Sequence, residues 1–287
     1  MTTPDKILTY DGDCPMCIAT VGLLLRFKLL RREQTRGNHE LTADDLKSVR
    51  AAGIRNQLVV LDPQTRETRP GVDGLLWILR ENTGNHVVIR LLSLPGIRHL
   101  LHGGYQTVSY NRRVISPPRR QIACDCEPEV TLMRRLTLVV PTLVLVVLMT
   151  ALFGAAVFRG WQLGDALSGA VFMCAAAGSG WAALVLAALV RLRGEQRIDY
   201  VAHLVVTMLA GVLVLIPASL LTLVLPRPAL IVLDVLSVLA SFSLMFAMQR
   251  RRVAFLGIST SWLWAWPVAL AAGFAATTAF YFGQVLP

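Results

Sequence analysis

Tyr10-Asp11-Gly12-Asp13-Cys14-Pro15-Met16-Cys17, YDGDCPMC, is the stretch on which the reading turns. It follows a short apolar run, KILTY (Lys6–Tyr10), which has the makings of a strand. It leads into CIATVGLLLRFKLLRR (residues 17–32), which has the length and leucine content of a helix and ends in basic residues that suit a helix C-terminus. Cys14 therefore falls at a strand-to-helix turn. Pro15 takes the first helical position, where a missing N–H costs nothing. Cys17 lies one turn further on, so helical spacing brings both sulfurs to one face. A thiolate at Cys14 would sit at the positive end of the helix dipole, which lowers its pKa. Asp11 and Asp13 oppose this, since nearby negative charge disfavours a second one. The expectation is a thiolate less acidic than in strongly oxidising dithiol proteins, with a reducing or isomerising bias. Cys14 is expected to be the more exposed sulfur and the attacking one, with Cys17 resolving.

Outward from this motif the first half continues as an α/β layer. A second strand is expected over Gln57–Leu61, an Asp62-Pro63 turn follows, and a weaker strand spans Glu67–Arg69. VDGLLWILREN (Val72–Asn82) reads as a second helix, and one or two more are expected around Ile97–Tyr110. Strand, cysteine-bearing turn, helix, hairpin, helix is an α/β order that fits a thioredoxin-like domain.

The second half is of another kind. The chain has 287 residues, is 54% hydrophobic and 16% charged, and has a mean hydropathy of +0.56. Residues 1–135 hold 20 of the 28 Lys and Arg and 14 of the 18 Asp and Glu, leaving 8 and 4 for the rest. From Leu136 the sequence breaks into five apolar stretches: Leu136–Phe158, Ala166–Val190, Val201–Leu225, Ala229–Met248 and Ser261–Phe282. Each approaches or exceeds the roughly 20 residues a helix needs to cross the hydrocarbon core. The expected fold is an α/β thioredoxin-like domain over residues 1–127, a basic juxtamembrane linker at 128–135, and an all-α transmembrane domain of about five helices over 136–287.

Arg134 and Arg135 precede the first span. Arg191, Arg193 and Arg197 lie between the second and third, and Arg250, Arg251 and Arg252 between the fourth and fifth. The alternate loops carry only Arg159 and Arg227. This bias places the N-terminal domain in the cytoplasm and the C-terminus outside, in a multi-pass inner or plasma membrane protein. The first fifteen residues show no apolar run of signal-peptide length. The net charge of +10 is read as topology and affinity for anionic lipid, and no nucleic acid is expected as a partner.

Among polar residues within the spans, Asp234 is expensive in lipid and so a functional candidate, with Ser219 and Thr222 expected to satisfy it. His203 and Asp199 are placed at the cytoplasmic end of the third span. Trp262, Trp264 and Trp266 open the fifth span and read as an interfacial aromatic belt. The small residues Ala175–Gly180 suit close helix packing. Cys174 reads as an apolar filler.

Cys124 and Cys126 stand two apart just before the first span, on one side of an extended segment. They are candidates for a relay with Cys14 and Cys17, or for exposed juxtamembrane thiols open to acylation. With the first pair they would also make a four-cysteine metal set of unusual spacing. Two buried structural thiols are a further alternative for Cys14 and Cys17.

YDGDCPMC resembles the signature of the DCC family of thiol–disulfide oxidoreductase-like proteins, an Asp-x-x-Cys-x-x-Cys pattern met here by Asp11, Cys14 and Cys17. GVDGLLWILR (Gly71–Arg80) is similar to a second family element. YQTVSYNRRVIS (Tyr105–Ser116) looks like its closing Asn-Arg segment, with a cysteine, here Cys124, soon after. The resemblance covers about residues 5 to 127. It implies a thioredoxin-like fold and a dithiol activity on protein thiols and disulfides, with Cys14 and Cys17 as the redox pair and Asp11 as the signature acid. No cofactor or metal is expected. Residues 33–56 depart from the pattern, being polar where an apolar second strand is usual. A second reading is a non-enzymatic accessory subunit or assembly factor of a larger membrane complex.

Overall fold

A computed structural model describes residues 6–51, 57–83, 86–117, 131–222 and 224–283. The chain divides into two compact units, Met1–Arg134 and Arg135–Pro287.

In the first unit a four-stranded mixed sheet has the order β2-β1-β3-β4. Strand β1 is Ile7–Tyr10, β2 Thr35–Gly37, β3 Val59–Leu61 and β4 Thr68–Pro70. Helix α1, Pro15–Arg26, makes the crossover from β1 to β2, which run parallel with Leu8 opposite Thr35. β3 is antiparallel to β1, with Leu8 opposite Val60, and β4 antiparallel to β3. Helix α2 is Ala43–Ala51 and α3 is Gly71–Asn82, directly after β4. The unit ends in α4 (His86–Leu92), α5 (Pro95–Tyr110) and α6 (Arg112–Ile115). A βαβ crossover joined to a ββα hairpin is the thioredoxin-like arrangement that the sequence order suggested.

The core lies between the sheet and the α1 and α3 faces, with Leu8, Val21, Leu30, Leu58, Val60 and Ile78 buried together. Side chains of this kind each contribute roughly 1.5–3 kcal/mol when fully buried. The polar run 33–56 does contain the second strand, contrary to its composition. β2 is only Thr-Arg-Gly, an edge strand with little apolar face to show, and short charged edges resist further pairing. The first helix is shorter than its apolar pattern, ending at Arg26, because Lys28 takes a left-handed φ of 56°.

The GVDG motif has a backbone reason. Gly71 has φ +56° while its N–H donates to Leu58 O at 2.8 Å, a conformation that favours glycine. At Gly74 a Cβ would stand 2.3 Å from the Arg69 carbonyl oxygen, so α3 can leave β4 this closely only without one. Between them Asp73 accepts from Arg98 at 2.8 Å and lies 3.1 Å from His102 Nε2, tying α3 to α5.

The second unit consists of five long helices: α7 (Leu132–Trp161, its first turn lying in the first unit), α8 (Ala166–Arg191), α9 (Glu195–Leu221), α10 (Arg227–Leu256) and α11 (Ser261–Gly283). All five are long and apolar enough to cross a membrane. α8 packs closely on α11 and α9 on α10. A Cβ on Gly180 would meet Ala269 O at 2.5 Å, and one on Gly273 would meet Ala176 O at 2.4 Å, so the backbones of α8 and α11 touch at these glycines. Of the small-residue stretch 175–180, Ala176 and Gly180 are buried in this packing, while Ala175, Gly178 and Ser179 are exposed.

The aromatic belt is corrected in part. Trp266 is buried, stacked on Trp181 at 6.3 Å and packed against Phe242 at 4.9 Å, and Trp262 meets Tyr200 edge-on at 5.0 Å. Trp264, 61% exposed, is the one of the three that suits an interface. The basic loops are corrected too. Arg250, Arg251 and Arg252 lie inside α10, and Arg252 is buried. Arg135 is buried in α7 and donates from Nε to Asp199 Oδ1 at 2.8 Å. Arg135 and Arg252 thus join helices, Arg135 through Asp199 and Arg252 through His203, 2.6 Å away.

Candidate functional site: a dithiol at the start of the first helix

The turn after β1 is built by Asp11. Its carboxylate accepts the Asp13 N–H at 3.0 Å, and its carbonyl accepts the Cys14 N–H at 3.3 Å. This Asx turn delivers Cys14 as the N-cap of α1, with Pro15 at the first helical position. The Cys14 sulfur accepts the Cys17 N–H at 3.4 Å, so it fills the place a Ser or Asp oxygen takes at other helix starts. The two sulfurs are not joined in this structure.

The pair is strongly asymmetric. The Cys14 thiol is lowered from 9.0 to about 6. The largest cause is the hydrogen bond from the Cys17 side chain, opposed by burial and helped by the backbone N–H of Cys17, the charge of Arg112 and the backbone N–H of Met16. Cys17 is pushed up, first because its S–H is held by the Cys14 thiolate, then by burial and by the Cys14 charge. One proton is therefore shared between two sulfurs, and Cys17 keeps it. The value for Cys14 stands above the ~3.5 of the most acidic dithiol proteins. The opposing acids act differently from expectation. The Asp11 charge bears on Cys17, whereas at Cys14 Arg112 supplies the leading charge effect.

One expectation is overturned. Cys14 is 7% exposed and buried, whereas Cys17 is half-buried. As an N-cap, Cys14 is drawn in over the helix end. Ionisation, not exposure, is what sets it apart.

Three neighbours were not singled out from the sequence. Arg112 is buried in α6, directly after Asn111. Asn111, also buried, donates to Thr107 O at 2.8 Å and to Arg134 O at 2.9 Å, fixing the corner between α5 and α6. The Asn111-Arg112-Arg113 triplet thus places a guanidinium within electrostatic reach of both sulfurs. Tyr105 in α5 accepts the Leu58 N–H at 2.8 Å, and its hydroxyl is pushed up to about 12, chiefly by burial. The exposed His39 ring lies against Gly12 and Gly37. A lone histidine in a polar run gave no signal.

Cys124 and Cys126 lie outside the described residues. Among the described residues no cluster of three or more His, Cys, Asp or Glu could hold a metal.

In the membrane-like unit Asp234 is buried and accepts from Trp161 Nε1 at 2.8 Å. Its expected partners turn elsewhere: Ser219 donates to Leu215 O and Thr222 to Ala218 O within their own helix. His203 is buried, with Nδ1 2.6 Å from Arg252 Nη1. The Cys174 sulfur lies 3.7 Å from Val147 O. A cavity of about 580 Å³ lies among the five helices, bordered almost wholly by apolar groups such as Val146, Phe153, Trp181, Met208 and Phe242.

Residues 8–117 match the family model described as DCC1-like thiol-disulfide oxidoreductase. The match runs from β1 through α6 and so contains the dithiol, the GVDG motif and Arg112. No curated protein and no solved structure matches the chain.

Proposed function

Taking that family match as premise, we propose that this is a membrane-anchored thiol–disulfide oxidoreductase whose working pair is Cys14 and Cys17. The observation that carries the reading is the placement of the pair: Cys14 caps α1 and its sulfur accepts the Cys17 N–H at 3.4 Å, an arrangement that lowers the Cys14 thiol and raises that of Cys17. In the reducing direction, the Cys14 thiolate attacks one sulfur of a partner disulfide. A Cys14–partner disulfide forms, the partner's other sulfur leaves as a thiolate, and that thiolate takes a proton from solvent. Once Cys14 is no longer anionic, Cys17 loses the charge that held its proton. It ionises and attacks the Cys14 sulfur. The Cys14–Cys17 disulfide closes, and the second partner sulfur leaves as a thiolate. Two electrons have passed from the dithiol to the partner, and a cytoplasmic dithiol restores the pair by two such exchanges, itself leaving as a disulfide. Arg112 stabilises the anion at each stage, and Asp11 positions Cys14 through its turn.

The sidedness read from the arginines puts the domain in the cytoplasm, where structural disulfides are rare and a cycling pair is the better account. Cys124 and Cys126 are proposed as a relay pair that reloads the first. If blocking them leaves turnover of Cys14 and Cys17 unchanged, that role falls. The burial of Cys14 favours a second reading: a docking module within an accessory subunit of a larger membrane complex, where the thiols do not turn over.

The discriminating experiment is acid trapping and thiol labelling in cells, in wild type and Cys17→Ser. A mixed population, with a protein partner trapped on Cys14 in the variant, supports exchange and names the partner. A pair that stays reduced with nothing trapped supports the docking reading.

A further inference from the structure

From Asn82 to Cys124 the chain contains no aspartate or glutamate, while Arg90, Arg98, Arg112, Arg113, Arg119 and Arg120 fall within it. The same stretch holds α4 and the start of α5, whose aliphatic side chains face outward. Val87 is 77% exposed, Leu91 53% and Leu100 78%, with Val88 and Leu94 also exposed. Val87, Val88 and Leu91 share one face of α4 with exposed Arg90, and exposed Leu94 follows as the N-cap of α5. A contiguous apolar strip of this kind on a water-facing domain marks an interaction surface.

The geometry points to the α4–α5 strip as a docking surface for an anionic lipid bilayer. Three observations select lipid. The side chains are aliphatic, the kind that insert into the headgroup–acyl boundary. Arg90 stands exposed within the strip, and no aspartate or glutamate falls between Asn82 and Cys124 in the sequence, which suits anionic headgroups. The chain runs on from this unit into five helices long and apolar enough to cross a membrane. Covalent continuity alone thus tethers the strip to that helical region. Arg98 is engaged by Asp73 and steadies α5, which leaves Arg90 as the cation set among the aliphatic residues.

Docked in this way, the domain would have one face committed to lipid. The dithiol would be presented at a fixed height for partners that are themselves at the membrane.

Amide hydrogen exchange on the full chain tests this in nanodiscs of phosphatidylcholine alone and of phosphatidylcholine with about a third phosphatidylglycerol. The amides of residues 87–94 are expected to exchange about fivefold more slowly in the anionic discs. Added salt should remove the difference, and α3 amides should be unaffected. Leu91→Glu and Arg90→Glu, both at exposed positions that fold does not depend on, should each abolish it. Equal exchange in the two disc types overturns the proposal. So does undiminished protection in Leu91→Glu. Protection that grows with protein concentration in neutral discs overturns it as well, and assigns the strip to a second copy of the chain.

Discussion

Removing the Cys17 thiol should cost Cys14 much of its acidity. Between an ordinary thiol at 9.0 and one at about 6 lies a preference of roughly a thousandfold for the ionised form, or about 4 kcal/mol. At pH 7 this raises the thiolate fraction from about 1% to about 90%. The rate of alkylation gains much less. Intrinsic nucleophilicity falls with pKa at a slope of about 0.4–0.5, giving back some twentyfold of the roughly ninetyfold gain. The pH at half-reaction is therefore the informative quantity, and the rate at one pH is not. The hydrogen bond from Cys17 is the largest contribution to the low value. In Cys17→Ala the midpoint for Cys14 should rise from about 6 to about 7.5–8.5, whereas Cys17→Ser, which keeps a donor, should rise less. Alkylation across pH, followed on the Cys14-bearing peptide by mass spectrometry, measures both. A Cys17→Ala midpoint still near 6 would refute the shared-proton account, leaving the helix N-terminus and Arg112 to carry the whole effect.

Arg112→Met should raise the Cys14 midpoint while Arg112→Lys largely preserves it, in the same assay, because the effect is one of charge. For the reduced protein, a lowered Cys14 pKa means stability that is fully present above the unfolded thiol's value near 9 and lost as pH falls through about 6. The stability difference between wild type and Cys14→Ser in denaturant titrations should accordingly shrink from pH 9 to pH 6. Trp161→Phe removes the donor to buried Asp234 and should destabilise the helical unit by about 1–3 kcal/mol, seen as a lower unfolding temperature in detergent. Gly180→Leu should separate α8 from α11 and disturb the Trp181–Trp266 stack, visible in tryptophan fluorescence; an unchanged spectrum would count against that contact.

Much of this protein is legible in one dimension because the physics involved is local. A proline at the first helical position and a cysteine at the cap follow from the order of residues 10–17. Twenty-residue apolar runs must be helices wherever lipid surrounds them, since only a helix satisfies its own backbone there. The second strand was hidden because a three-residue edge strand carries almost no hydrophobic pattern of its own. Its pairing is decided by β1.

The tertiary structure alone decided the electrostatics. Arg112 stands 95 positions from Cys17 in sequence and acts on it through space. Trp161 and Asp234, 73 positions apart, find each other only when two helices pack, and the same holds for His203 and Arg252, 49 apart. Spacing along the chain fixed where the thiols are. Which of them is the anion depends on groups brought together by folding, because Coulomb and hydrogen-bond energies fall with distance in space and take no account of distance along the chain.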